Sequence, residues 1–271
     1  MAKKWTTEEE QFYFKELNCL YVEKNKTIKE IGAELGIAEQ TVFQRLQRLN
    51  IPSNPQNKKG YLKKRTDLII PPCYSNELAE FFGIMLGDGH ISKYQIVVTL
   101  GNKEMSYAKY IVLLMQKLFK SKPKIAIRKK GYKDVYLGSV DLSRWLLKQG
   151  LVHNKVKAQV DVPEWIFSKK EFMESFVRGF FDTDGSVYAL KYGVQINLTN
   201  RSRPLLLSLQ RMLLCLEYSP SKVSGLKIYI TKRDKLDRFF REIKPKNPKH
   251  VSRYREFKKR VGTQAVNEDA L

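Results

Sequence analysis

The sequence contains few of the residues that form disulfide frameworks and metal clusters. Its 271 residues include three cysteines and three histidines, and neither set is clustered. The cysteines have apolar neighbours, which predicts reduced thiols within a core rather than disulfides or a zinc site. We expect the histidines at the surface or near phosphates. These residues are Cys19, Cys73, Cys215, His90, His153 and His250.

Long apolar runs are also missing from the sequence. No segment approaches the run of about 18 apolar residues that marks a membrane helix, and the N-terminus has no apolar signal core. We therefore expect a soluble, cytoplasmic protein that has access to DNA and no membrane partner.

Acidic residues are outnumbered by basic ones. The chain has 28 Asp and Glu against 50 Lys and Arg, which gives a net charge of +22 at pH 7. Residues 1–60 hold ten basic and eight acidic residues, so +20 of this charge lies in residues 61–271. Such an excess predicts a polyanionic partner, because neutralising phosphates releases counterions. A merely solvated basic surface is the alternative.

Two stretches of nine residues repeat one pattern. Residues 81–89 read FFGIMLGDG, and residues 177–185 read VRGFFDTDG. Each predicts the end of an apolar helix, stopped by a glycine in the left-handed C-terminal conformation. Gly83 and Gly87 are four residues apart, as are Gly179 and Thr183. This spacing would let two such helices cross with their backbones almost in contact.

Each pattern ends on an aspartate that helix packing does not explain. Asp88 and Asp184 would meet the negative ends of the helix dipoles, at a cost of about 0.3–1 kcal/mol each. If the helices lie side by side, the two carboxylates also repel each other. A cation between them would remove this cost, and hard oxygen ligands of this kind suit Mg²⁺. The alternative is two ordinary helix stops, in which Asp and Gly serve turn chemistry.

These residues resemble the double-motif LAGLIDADG homing endonucleases, over about residues 76–262. The resemblance implies that the motif helices form a pseudo-two-fold interface and that Mg²⁺ is the cofactor, with Mn²⁺ substituting and Ca²⁺ supporting binding without cleavage. Leu86 departs from the family pattern, which often has an acid at this position, as Asp182 is in the second motif. The metal ligands that the resemblance implies are Asp88, Asp184 and the backbone carbonyls of Gly87 and Thr183.

The family also has a basic residue after the closing helix of each half. In this chain the segments LVHNK, residues 151–155, and PKNPK, residues 245–249, lie at those places. The resemblance therefore implies Lys155 and Lys249 as catalytic cations, which would stabilise charge developing on a scissile phosphate. Arg201 or Lys103 could serve instead.

The two halves share an element order that predicts an α+β fold. Each reads as αββαββα, an antiparallel unit with helices on one face of a sheet. The segment from Tyr136 to Asp141 corresponds to that from Tyr229 to Asp234, so the duplication extends beyond the motifs. The predicted organisation is a small all-α helix-turn-helix domain at 1–55, a basic linker at 56–75, LAGLIDADG repeats at 76–165 and 166–262, and a C-terminal tail at 263–271.

Predicted elements outside the motif helices follow the hydrophobic periodicity. A capping box of Ser168 and Glu171 is expected to start the second motif helix. In the last strand, Leu226 is expected to point inward with Ile228 and Ile230. The expected strands are 94–100, 124–130, 134–140, 194–199, 222–224 and 226–231, and the expected helices are 105–119, 141–148, 204–216 and one from 234.

Polar residues alternate with apolar ones along these strands. Amide, hydroxyl and guanidinium groups hydrogen-bond to base edges in the major groove, so we interpret the polar face as a DNA-binding face rather than a solvated one. In the family, two such sheets form a saddle along the major groove. The candidate DNA-binding residues are Gln95, Thr99, Arg128, Tyr136, Gln195, Asn197, Thr199, Arg201, Lys227, Tyr229 and Thr231.

The N-terminal region has the pattern of a helix-turn-helix. An upstream helix over 6–24 would begin at a capping box of Thr7 and Glu10, and a second box, Thr27 with Glu30, would begin the unit itself. Gly36 would make the turn. The second helix would then enter the major groove, although a purely structural three-helix module is the alternative. Its candidate DNA contacts are Gln40, Phe43, Gln44 and Arg45.

Together these features predict a monomeric endonuclease that hydrolyses phosphodiester bonds in double-stranded DNA with divalent metal. It would cut both strands of a long, asymmetric target across the minor groove and leave short 3′ overhangs. Two alternatives stay open: a non-catalytic DNA-binding transcriptional regulator on the same fold, and an RNA-binding intron maturase. The host element, whether intron, intein or free-standing gene, is not indicated.

Overall fold

The computed structural model of the protein describes residues 5–52, 67–191 and 193–268, without the side chains of 260–268. Contacts divide the chain into two units, residues 1–65 and 66–271. Within the described ranges, no helix combines the length and apolar character needed to cross a membrane. The predicted linker lies largely outside these ranges, while Leu68 and Ile70 pack on the core of the second unit.

The first unit is a small helical bundle. Its helices are α1 (Thr7–Asn18), which continues as a π-helical turn at Cys19–Glu23, α2 (Ile28–Leu35) and α3 (Glu39–Arg48). Gly36 ends α2 in the left-handed region at φ 66°, as a tight turn before α3 requires. The buried core consists of Leu17, Leu20, Tyr21, Ile31, Val42, Leu46 and Ile51.

Capping fixes where these helices begin. Thr27 and Glu30 form the predicted capping box. The first box, however, is Thr6 with Glu9, one residue earlier than predicted, because Thr6 has the extended backbone that an N-cap needs.

The second unit contains two copies of one element order. The first copy is α4 (Asn76–Leu86), β1 (Gly89–Ile91), β2 (Gln95–Leu100), α5 (Met105–Phe119), β3 (Lys124–Ile127), β4 (Lys133–Gly138) and α6 (Val140–Lys148). The second is α7 (Lys170–Asp184), β5 (Gly185–Leu190), β6 (Gly193–Thr199), α8 (Arg203–Cys215), β7 (Lys227–Ile230) and α9 (Arg233–Glu242), followed by α10 (Pro248–Glu268). Short 3₁₀ turns lie at Lys129–Gly131 and Glu164–Ser168.

Both sheets are antiparallel, and the three strands of the second sheet correspond in order to the first three of the four strands of the first sheet. The first is β1-β2-β4-β3 and the second is β5-β6-β7. Gly89 pairs with Val98, as Gly185 pairs with Leu198, so the two hairpins have the same register. This register fixes which residues of the two copies are equivalent. The predicted α+β fold with two repeats is confirmed.

Several local predictions were wrong. Residues 222–224 make a single bridge, Ser224 to Lys227, instead of a strand. Leu226 is 49% exposed, because it precedes β7 and is not held in its alternation. Ser168 does not cap α7, since its hydroxyl donates to the Trp165 carbonyl. The long helix α10 was not predicted.

The cysteines also differ from expectation. Cys73 and Cys215 are exposed and Cys19 is partly buried, so none lies in a closed core. Apolar neighbours in sequence were misleading here because, on a helix such as α8, adjacent residues point to different faces.

The motif helices α4 and α7 cross in close contact. A β-carbon on Gly83 would collide with the carbonyl oxygen of Phe176, and one on Gly179 with that of Glu80. At the end of the crossing, Gly87 meets the Thr183 hydroxyl. The predicted crossing at small residues is therefore present.

Gly89 and Gly185, which follow the two aspartates, do not adopt the left-handed cap conformation that was predicted for them. Gly185 has φ −86°, and neither it nor Gly89 has the positive φ of a left-handed cap. A β-carbon at Gly89 would instead collide with Met85, and one at Gly185 with Phe181. Glycine is needed there because the strand turns back tightly over its own helix.

Replacing Gly179 with alanine should destabilise the second unit. The added β-carbon meets backbone, which cannot move without separating the helices, and overpacking of this kind costs about 3 kcal/mol. Urea unfolding would measure the loss. Gly193→Ala is the matched control, because in the part of the chain that the structure describes no atom beyond its chain neighbours lies within 4 Å of its β-carbon position. Equal losses in both variants would contradict the close crossing as the cause.

Candidate active site and nucleic-acid interface

The ends of α4 and α7 bring Asp88 and Asp184 together. Asp184 is the last residue of α7, and Asp88 lies between the end of α4 and the start of β1. Gly87 and Thr183, the residues that directly precede the two aspartates, lie against each other. Both carboxylates are half-buried. The sequence prediction that the two acids meet at the helix interface therefore agrees with the structure.

Burial makes it energetically unfavourable for both Asp88 and Asp184 to carry a negative charge. Burial raises the pKa of the Asp184 carboxyl to about 6, and the charge of Asp88 acts in the same direction. Burial likewise raises the pKa of Asp88, with Glu104 adding to the effect. The charges of Lys155 and Lys249 oppose these shifts, and the catalytic role of the two lysines stays a prediction. Arg201 and Lys103 are exposed.

Lys155 reaches the site from the loop after α6. Its ammonium donates to the Met85 carbonyl at 3.1 Å and also to that of Gly87. Burial lowers the pKa of this ammonium, while the charges of Asp184 and Asp88 oppose the shift. The Lys155 ammonium is thus hydrogen-bonded to backbone carbonyl oxygens at the end of α4.

Lys249 reaches the site from the first turn of α10 and pairs with a third carboxylate, Glu104. The ammonium lies 2.7 Å from Glu104 Oε1. Asn247 donates to the same oxygen at 2.6 Å, and the Gly101 amide donates to Oε2 at 2.7 Å. Burial would raise the pKa of Glu104, but the hydrogen bonds from Lys249 and Asn247 hold it below its usual value. Neither Glu104 nor Asn247 was predicted from the sequence.

Asn200 is a further contact that sequence reasoning missed. Its side-chain amide donates to Asp184 Oδ2 at 2.8 Å, and its own oxygen accepts from the Ser202 amide at 2.9 Å. The equivalent residue in the first copy is Leu100, which is buried. No sequence signal marked Asn200, because its place near the end of α7 follows from the β5–β6 register of the folded sheet.

Asp182, two residues before Asp184, is fully buried beneath the site. Its carboxylate accepts backbone N–H groups from Lys246 at 2.8 Å and Asn247 at 3.0 Å. Burial raises the pKa of this carboxyl to about 7 against those hydrogen bonds. His250 packs against it, with Nε2 3.3 Å from the Asp182 carbonyl oxygen.

The prediction for His250 was wrong. The ring is fully buried against Phe181, and burial lowers its pKa to about 3, which leaves it neutral at pH 7. His90 and His153 are exposed, as expected.

The oxygen donors at the site fit a hard divalent cation. Two half-buried carboxylates with raised pKa values lie together, and backbone carbonyls at the end of α4 accept the Lys155 ammonium. Carboxylate and carbonyl oxygens are the ligands that Mg²⁺ and Ca²⁺ take. In the described ranges no three His, Cys, Asp or Glu residues come together, so Asp88 and Asp184 would need water or phosphate oxygens to complete a coordination shell.

The first sheet presents a mixed polar face. Gln95, Thr99 and Tyr136 share it, as the β2–β4 register shows. Arg128 and Thr99 are both bound to Asp134, the arginine through an ion pair and the threonine through a 2.8 Å hydrogen bond. Arg128 is thus partly neutralised within the sheet.

The second sheet presents the remaining candidates. Gln195, Asn197, Thr199, Lys227 and Tyr229 share one face by register. Asn197 is buried, and its side-chain oxygen has no hydrogen-bond partner among the described residues. Arg201 and Thr231 are exposed beyond the strand ends.

The outer face of α3 in the first unit carries neutral polar and aromatic groups. Gln40, Phe43 and Gln44 are exposed. Arg45 lies with its guanidinium 4.3 Å from the Tyr13 ring centroid, and Arg48 lies 4.1 Å from that of Trp5. Both arginines are therefore engaged within the unit.

Two α+β repeats joined by crossed helices, each ending on an aspartate, define a duplicated paired-helix architecture. Residues 171–244, from α7 to just beyond α9, match the family model described as LAGLIDADG-like domain. This match covers the second repeat, and it confirms the resemblance to the LAGLIDADG family that was seen in the sequence. The helix-turn-helix identity of the first unit stays a prediction.

Curated relatives match short segments. The chain is 34% identical over 115 residues to a replication factor C small subunit of Methanocaldococcus jannaschii, which is 42% of this chain and 6% of the relative. It is 31% identical over 141 residues to a replication factor C small subunit of Thermococcus kodakarensis, 48% of this chain and 15% of the relative. A DNA polymerase of Thermococcus hydrothermalis is 28% identical over 147 residues, 51% of this chain and 8% of the relative. The chain thus spans a small part of each.

Similar solved structures include the homing endonuclease I-DmoI in complex with DNA and Ca, with a TM-score of 0.45 and 17% identity over 62% of this chain and 88% of that chain. A mutant of I-SmaMI gives a TM-score of 0.48 and 13% identity over 69% and 90%. The N-terminal LAGLIDADG domain of DUF199/WhiA gives 0.44 and 17% over 64% and 85%.

Removing the Asn200 amide should raise the pKa of Asp184 further above about 6. The hydrogen bond from Asn200 stabilises the charged carboxylate, so its loss favours the protonated form. Carbon-13 NMR of the aspartate carboxyls in Asn200→Ala, titrated without metal, would measure the change. The control is Asn76→Ala, at the far end of α4. An unchanged Asp184 titration in Asn200→Ala would contradict the assignment.

Proposed function

We propose that this protein is a sequence-specific, metal-dependent endonuclease of the homing type that cuts both strands of DNA and acts as a monomer. The observation that carries the proposal is the meeting of Asp88 and Asp184 with Lys155 and Lys249 at the ends of the crossed helices. Two costly carboxylates and two lysines at one place have a clear use in phosphodiester hydrolysis. No structural need explains them, since apolar residues could end both helices.

Each residue then has a defined task. Asp88 and Asp184, with the backbone carbonyls of Gly87 and Thr183, would hold Mg²⁺, with Mn²⁺ expected to substitute. A bound divalent ion supplies Lewis acidity and lowers the pKa of a water molecule. Lys155 and Lys249 would neutralise charge on the scissile phosphates.

Charge and the polar faces support DNA as the substrate. Residues 61–271 carry +20, and the two sheets present amides, hydroxyls and amines such as Gln95, Gln195 and Lys227. Because the two faces carry different residues, the two halves of the target should differ in sequence. The site is therefore expected to be long and asymmetric.

The closeness of the two acids supports cleavage across the minor groove. One pair of adjacent carboxylates can serve both strands only where the two scissile phosphates come close, and the minor groove is the narrower one. We infer a short stagger that leaves 3′ overhangs.

The test is cleavage of a randomised duplex library with Mg²⁺, beside EDTA and Ca²⁺. Metal-dependent cuts at one long recurring site are expected, with binding but no cutting in Ca²⁺. Selective binding without cutting in Mg²⁺ or Mn²⁺ would overturn the proposal in favour of a DNA-binding regulator. Preferential binding of structured RNA over every duplex would favour a maturase.

Replacing either acid with its amide should stop double-strand cleavage. Asp88→Asn and Asp184→Asn remove a metal ligand while keeping the shape, so cleavage should fall more than about 100-fold, with at most a nicked product. Binding in Ca²⁺, measured by mobility shift, serves as the folding control. Wild-type double-strand cutting by the double variant would remove both residues from the active site.

We further propose that α3 of the first unit reads bases. Residues 1–60 carry only +2, and Arg45 and Arg48 stack on aromatic rings of the unit. Phosphate contacts from this face are therefore few, while Gln40 and Gln44 have the donor and acceptor pair that reads adenine. The first unit would thus add specificity more than affinity.

Gln40→Ala and Gln44→Ala should each weaken binding to the selected target by about 1–3 kcal/mol and relax its sequence preference. The salt dependence of binding should stay unchanged, because no charge is lost. Lys227→Ala is the contrasting variant and should reduce the salt slope by about 1. Fluorescence anisotropy at several salt concentrations would measure both. Unaltered sequence preference in the glutamine variants would return the first unit to a structural role.

A further inference from the structure

The corner between α9 and α10 is bound to one buried acid, Asp182. The Asp182 carboxylate accepts the backbone N–H groups of Lys246 and Asn247 at 2.8 and 3.0 Å. Its own backbone carbonyl accepts from the Asn247 amide at 3.0 Å and lies 3.3 Å from His250 Nε2. One turn earlier on α7, Arg178 donates to the Ile243 carbonyl at 2.6 Å. The corner therefore cannot shift without breaking several buried hydrogen bonds.

This corner between α9 and α10 positions Lys249 at the active site. The Lys249 amide donates to the Asn247 side-chain oxygen at 3.3 Å, which begins α10 at a fixed place. The ammonium then lies 2.7 Å from Glu104, and the same Glu104 oxygen accepts from Asn247 at 2.6 Å. Asn247 thus links the corner bound by Asp182 to the carboxylate that orients the lysine.

In the first copy, the position that corresponds to Asp182 does not hold an acid. The register of the two hairpins makes Leu86 the equivalent of Asp182, and Leu86 is fully buried. The matching lysine, Lys155, is instead anchored through its own ammonium, on the Met85 and Gly87 carbonyls. The two motifs thus differ at this position, and the two lysines are held by different contacts.

We propose that Asp182 is a positioning residue that places Lys249 against the scissile phosphate of one DNA strand. The inference rests on the proposed endonuclease function and adds a role that is neither metal ligand nor core packing. Because Lys155 and Lys249 occupy pseudo-symmetric places, each serves one strand. Loss of Asp182 should therefore slow one strand only.

The test uses the full chain and the target duplex obtained from the library selection, with a different label on each strand. The variants are Asp182→Leu, which copies the first motif, the isosteric Asp182→Asn, Lys249→Met and the double variant Asp182→Leu with Lys249→Met. Asp141→Leu, the same change at an exposed acid, is the control. Single-turnover nicking rates are measured for each strand in Mg²⁺, and binding is measured in Ca²⁺.

We expect Asp182→Leu to slow one strand about 10- to 100-fold, as misplaced supporting groups do, and to leave the other strand within about two-fold. Lys249→Met should slow the same strand, and the double variant should show no further loss, since both changes remove one lysine contact. Asp182→Asn, which keeps one acceptor, should give a smaller loss on that strand.

Several outcomes would overturn the inference. Equal slowing of both strands would indicate a general structural effect, and full activity on both strands would show that Lys249 does not depend on Asp182. If Asp182→Leu fails to fold, Asp182→Asn decides by the same criterion. A wild-type protein that cuts no target would instead refute the proposed function, which distinguishes the two failures.

Discussion

The crossing of α4 and α7 is the constraint on which the second unit depends. At Gly83 and Gly179 the two backbones touch, so neither helix can slide or rotate without a collision. A partly buried ion pair of Glu80 and Arg178, 2.9 Å apart, adds a fixed point near the crossing. Because each helix ends where its strand begins, the crossing also sets the place of both sheets.

The crossing of α4 and α7 also brings two negatively charged carboxylates close together at the site. Helices that touch along their length end side by side, which forces Asp88 and Asp184 into one half-buried place. Burial raises both pKa values, and the charge of Asp88 adds to the rise at Asp184 while the charge of Glu104 adds to the rise at Asp88. Lys155 reaches the site from the loop after α6 and Lys249 from the first turn of α10, and together they compensate only part of this charge. A divalent cation would compensate the rest.

The two repeats share one backbone arrangement, but the residues around their two aspartates make different contacts. Asn200 orients Asp184, whereas the equivalent Leu100 belongs to the core. Lys249 is paired with Glu104, whereas Lys155 is bound to backbone carbonyls. Symmetry of fold therefore coexists with two chemically different surroundings for the paired acids.

The sequence by itself determined the repeat, the two acids, the small residues of the crossing and the alternation of the strands, because all of these are local patterns with a fixed period. Only the tertiary structure decided that Glu104, Asn247 and Asn200 join the site, that His250 is buried and that the cysteines are not. These outcomes depend on contacts between residues far apart in the chain, such as the 143 positions between Glu104 and Asn247. Periodicity within one element cannot specify which distant element will cover it.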